Sequence, residues 1–103
     1  PDGPIKPGGA VPRLMRKYTN LWADISAGSG YNAMTRDPVF ALEFLDEFQD
    51  RIMFGTDSCL RSDVNDVYRN VAFVRELREK KKLSNEALEK IEWKNCCRLL
   101  NLF

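Results

Sequence analysis

Asp57 closes the stretch DRIMFGTDS (Asp50–Ser58), in which a short apolar run, Ile52 to Phe54, gives way to a glycine, a hydroxyl and a carboxylate. A carboxylate delivered there serves as a cation ligand or a general base, because barrels and open α/β sheets carry their active sites at the carboxyl ends of their strands. Strict alternation puts Met53, Gly55 and Asp57 on one strand face and Ile52, Phe54 and Thr56 on the other. A second stretch, NLWADIS (Asn20–Ser26), has the same form. Leu21, Ala23 and Ile25 share one face, while Trp22, Asp24 and Ser26 bring an acid and a hydroxyl to the other. Two structural roles compete for Asp57: a cap on the following helix, or an ion pair with an arginine.

The residues that are missing narrow the chemistry. The chain has no histidine. It therefore offers no imidazole to a metal, and no histidine base to a serine or cysteine nucleophile. The three cysteines, Cys59 and the adjacent pair Cys96 and Cys97, make no disulfide framework and read as reduced thiols of a cytoplasmic protein. Adjacent helical residues point about 100° apart, so a shared thiolate zinc site is disfavoured. The glycine-rich Ala27–Gly30 follows a strand as phosphate-cradling turns do, but it lacks the lysine and spacing of a P-loop and reads first as a plain strand-to-helix turn. With 30% charged residues and a formal net charge of +1, nothing marks the chain for nucleic acid or a membrane surface. The basic run Lys80–Lys82 suits a solvated helix end.

Helical and strand patterns alternate around these residues. Val11, Leu14, Met15 and Tyr18 form one stripe of a short helix after the Pro- and Gly-rich residues 1–9. Asp37 and Pro38 open a second helix as N-cap and first residue, with Val39, Leu42, Leu45 and Phe48 in one apolar stripe widened by Phe40 and Phe44. A third, Val64 to Lys80, repeats Val64, Val67, Tyr68, Val71, Val74 and Leu77 at helical period, with Ser62 or Asp63 as its cap. Ser84 caps the last, stapled by Leu83 and Leu88, with Leu88, Ile91, Cys96, Leu99 and Leu100 expected inward. Strand 20–26, helix 38–49 and strand 51–57 make a βαβ unit, so the two strands should be parallel.

The order is then αβαβαα with two strands, and two parallel strands make a poor sheet by themselves. Both outer edges would be unpaired, and parallel sheets are covered on both faces. The pattern points to a piece of a larger α/β barrel or sheet, or to self-association through strand edges.

With these residues laid out, the chain resembles the C-terminal part of the amidohydrolase superfamily, in its branch of metal-dependent hydrolases and related decarboxylases. Gly3–Pro38 is similar to the passage from helix 6 through strand 7 of such a barrel, DRIMFGTDS to strand 8 with its signature acid, and IEWKNCCRLLNL (Ile91–Leu102) to the closing helix. The resemblance implies a partial TIM-type (β/α)8 barrel over residues 1–103, acting in the parent protein on a small-molecule substrate. It implies that Asp57 binds a divalent metal, zinc first, or takes a proton from metal-bound water, and it puts Cys59 at the end of the barrel where the pocket lies. A full barrel takes about 250 residues, and the family's histidine-bearing strands are not in this sequence. The isolated chain is accordingly expected to hold no metal and to be inactive. The competing expectation is a small non-catalytic α/β module that binds an anion at Ala27–Gly30, or a protein along its strand edges.

Overall fold

The computed structural model describes residues 1–102. Helix α1 (Ala10–Lys17) leads to strand β1 (Ala23–Ile25), helices α2 (Ala27–Thr35) and α3 (Pro38–Glu47), and strand β2 (Ile52–Phe54). A 3-10 turn (Arg61–Asp63) then enters the long helix α4 (Val64–Glu79), followed by α5 (Asn85–Glu89), a π segment (Lys90–Lys94) and α6 (Asn95–Leu99). The two strands pair in parallel, Ala23 with Ile52, Asp24 with Met53 and Ile25 with Phe54.

Helix starts follow local chemistry. The Asp37 carboxylate accepts from the Phe40 amide at 3.1 Å and from the Ile5 amide at 2.9 Å, so one cap also pins the N-terminal segment. Ser84 Oγ accepts from the Ala87 amide at 3.1 Å, and the flanking Leu83 and Leu88 are buried. Asp63 turns back, accepting from the Cys59 and Leu60 amides at 2.8 Å each, and so caps the 3-10 turn and not α4 itself.

One sheet face carries Ala23, Ile25, Ile52 and Phe54 into a core completed by Met15, Leu45, Phe48, Val74, Leu88 and Ile91. Burial of this apolar surface is the main stabilising term. The amino ends of the strands are held by polar side chains. Arg51 donates to the carbonyls of Met15, Tyr18 and Leu21 at 2.8–3.0 Å, closing the end of α1. Asn95, 2% exposed, donates to the carbonyls of Gln49 at 2.6 Å and Ile52 at 2.9 Å. Arg98 donates to the Asp50 carbonyl and lies over the Trp22 ring.

Four expectations are corrected. The strands are shorter than the stretches that announced them, so Asp57 stands three residues beyond β2 and outside the alternation. Ala27–Gly30 is the first turn of an unforeseen helix, α2. Val64, Tyr68 and Val71 lie on the exposed side of α4, whose buried residues are Asn70, Val74 and Leu77. In the last helix Leu99 and Leu100 are exposed and Asn95 faces inward, at i+4 from Ile91, because an amide on the stripe is invisible to a hydrophobicity reading.

Candidate functional site

The carboxyl ends of the two strands form a polar rim. Asp24 and Met53 pair across the ladder and project away from the core face. One step further along, Ser26 and Gly55 lie side by side: a Cβ built on Gly55 would stand 3.5 Å from the Ser26 Cβ. The Ser26 hydroxyl donates to Asp24 Oδ1. Asp57 follows Gly55 by two residues in the exposed loop to the 3-10 turn, with φ +52°. Its carboxylate makes no hydrogen bond or ion pair among the described residues, so neither structural role foreseen for it is taken up: Asp63 caps the 3-10 turn, and none of the described ion pairs joins an arginine to Asp57. The Cys59 thiol donates weakly to the Asp57 carbonyl, 3.7 Å away.

Helix α4 fixes this rim from behind. Asn70, 3% exposed, donates to the Ala27 carbonyl at 3.0 Å and holds Ala27 at φ +56°. Asp66, one turn earlier, lays its carboxylate 3.4 Å from where a Gly28 Cβ would be. That acid complements the positive end of α2. It also repels the anion that a phosphate cradle at Ala27–Gly30 would take. Asn70 was not singled out in the sequence, since an Asn next to Arg69 on a helix reads as surface. Its signal is its place between Val67 and Val74 on the side that turns inward.

Asp57 is the sequence's candidate ligand and base, and the rim brings Asp24 and Ser26 onto the strand adjoining its loop. It does not bring the thiols: Cys59 is exposed on the rim loop, while Cys96 and Cys97 are half-buried on α6. Among the described residues no three acidic, thiol or imidazole side chains converge as metal ligands. With one candidate carboxylate and no histidine, the residues present do not by themselves fit a metal ion.

A parallel βαβ unit with exposed acids at or just beyond its strands' carboxyl ends is the outline of an α/β enzyme's active-site rim. The chain belongs to the amidohydrolase family, whose model matches residues 7–102. Searches of curated proteins and of solved structures return no match. Among the described residues no helix is long and apolar enough to cross a membrane.

Proposed function

We propose that this chain forms the closing part of a hydrolase barrel acting on a small molecule, and that Asp57 is the acid it contributes to the active site. The observation that carries this reading is the Asp57 carboxylate: exposed on the rim loop, without a partner among the described residues, on a chain of the amidohydrolase family. Two further features support it. Among the described residues the sheet has two strands, so one edge of each is unpaired, and each strand borders a cleft. The cleft beside β1, of about 470 Å³, is walled by Val11, Pro12, Phe40 and Phe44 and bordered by Asp24 and Ser26, and the one beside β2, of about 330 Å³, by Phe54, Val71 and Val74 together with Arg75 and the Arg78–Glu92 ion pair. In the assembled barrel a neighbouring strand would pair along each free edge, leaving Asp24 and Ser26 at the rim to the substrate.

In the assembled barrel Asp57 orients an attacking water and accepts its proton, a task for a carboxylate within hydrogen-bond reach of that water. The family's usual divalent metal would draw its other ligands from residues outside this chain, and when bound it supplies a water acidic enough to attack near neutral pH. Hydrolysis of an ester, amide or lactone and decarboxylation of an aromatic acid both fall within this reading.

The test compares the complete reading frame, wild type and Asp57→Asn, against a panel of aryl esters, anilides, lactones and aromatic acids. Turnover should fall by about 10²–10⁴-fold with the thermal midpoint unchanged, and the 103-residue chain alone should show none. Asp57→Asn retaining wild-type turnover would overturn the assignment.

A further inference from the structure

We infer that Ser26 and Asp24 form a donor-recognising wall of the substrate site, selecting a substrate that presents an N–H or O–H group beside the bond under attack; this rests on the reading of Asp57 above. Ser26 occupies the N-cap position of α2, where a serine hydroxyl ordinarily accepts from an amide of the first turn. Here it makes no such bond. It donates to Asp24 Oδ1 instead. With its one hydrogen committed, the hydroxyl has only lone pairs left to offer, and an ionised carboxylate is acceptor-only as well. The pair therefore presents acceptors and no donor.

Three features direct that surface at a ligand. Asp24 has no cationic partner among the described residues, and its side chain is exposed on the sheet face away from the core. The neighbour across from Ser26 is Gly55, just past β2, whose added Cβ would stand 3.5 Å from the Ser26 Cβ, so that position has no side chain to lay over the hydroxyl. The turn that carries Ser26 is fixed by the buried Asn70 amide on the next carbonyl, 3.0 Å away. Asp57 lies two residues beyond Gly55. A substrate whose scissile group meets Asp57 thus lays its adjoining substituent against Asp24 and Ser26. An ammonium, amide or hydroxyl is satisfied there; a carboxylate or phosphate meets an anion and lone pairs.

The test uses the ¹⁵N-labelled chain at neutral pH with three probes of one shape: benzylammonium chloride, benzyl alcohol and sodium benzoate at equal ionic strength. Benzylammonium, and more weakly benzyl alcohol, should shift the amide resonances of Ala27, Gly28 and Gly55 saturably, while benzoate should not. Asp24→Asn should weaken benzylammonium binding at least fivefold, and by more than Asp57→Asn does. Ser26→Ala, which leaves the carboxylate in place, should abolish the response to benzyl alcohol while retaining most of that to benzylammonium. Equal response to benzoate, or loss of binding with Asp57→Asn but not with Asp24→Asn, would overturn the inference. Because no turnover is measured, failure here leaves the catalytic test of Asp57 standing, and failure of that test leaves this one readable.

Discussion

Ala27 and Asp57, the residues that turn the chain out of the two rim positions, both adopt left-handed backbone angles, φ +56° and +52°. For a residue with a Cβ this conformation costs about 1–2 kcal/mol, and aspartate tolerates it better than alanine. Ala27→Gly should therefore raise stability by about 0.5–1 kcal/mol, the relief of strain exceeding glycine's entropic penalty, as read by urea denaturation. Gly30→Ala on the same helix should do the reverse. A Cβ there would stand 2.8 Å from the Ile25 carbonyl carbon, backbone that cannot rotate away, so a loss of about 1–3 kcal/mol is expected. Acid sensitivity is also set by single residues. The Leu60 and Cys59 amides hold the Asp63 carboxyl below its usual range, and the Ile5 and Phe40 amides do the same for Asp37. A lowered folded-state pKa means that the unfolded chain binds protons first. The stabilisation is then complete above the ordinary aspartate value, about 3.9, and is lost as pH falls from there through the lowered values. Urea midpoints at pH 5 and pH 3 should differ less for Asp63→Asn than for the wild type.

At the level of elements, the βαβ order, the parallel pairing and the caps at Asp37 and Ser84 were legible because each rests on local chemistry or strict period. Helix α2 was not. Ala-Gly-Ser-Gly reads as a flexible turn on propensity, yet Gly30 is there so that the helix can approach the Ile25 backbone. Tertiary packing decides that segment. That Asp57 follows a strand was legible, but not that it stands three residues past the ladder in an exposed loop with a left-handed backbone angle, since alternation stops where the ladder does. The polar fastening of the strands' amino ends was equally hidden, because Asn95 enters a sequence reading only as a residue that is not hydrophobic. Its two carbonyl partners belong to the turn before β2 and to β2 itself, so the closing helix sets where that strand begins. Asn95→Ala leaves both carbonyls without this donor in a buried place. It should cost about 2–3 kcal/mol, measured by chemical denaturation, with Asn95→Leu no better, because volume is restored and the donor is not.

For the whole molecule, what remains exposed says how the chain behaves alone. Tyr68 is 68% exposed, Leu60 68%, Val64 45% and Val71 37%, all on or just before α4. Val71 lines the same cleft as Phe54, beside the open edge of β2. An exposed apolar stripe on a helix, one residue of which shares a cleft with an unpaired strand, is a surface that natural proteins cover or blunt with charge. In the proposed barrel the next strand and its helix cover it. In the isolated chain only another copy is available, and a formal net charge of +1 gives copies little reason to repel. Sedimentation velocity over a concentration series should therefore show association beyond the 11.9 kDa monomer. The double substitution Tyr68→Lys, Val71→Lys should return the chain to a monomer while leaving its thermal midpoint unchanged, since both side chains are exposed and charge on the edge blocks pairing. In the complete reading frame the same two lysines should instead lower the thermal midpoint, because there the stripe is interior to an interface between barrel strands. A chain that is monomeric at every concentration, with lysines that are neutral in both contexts, would mean that this face is covered by nothing and that the two open edges are not seats for neighbouring strands.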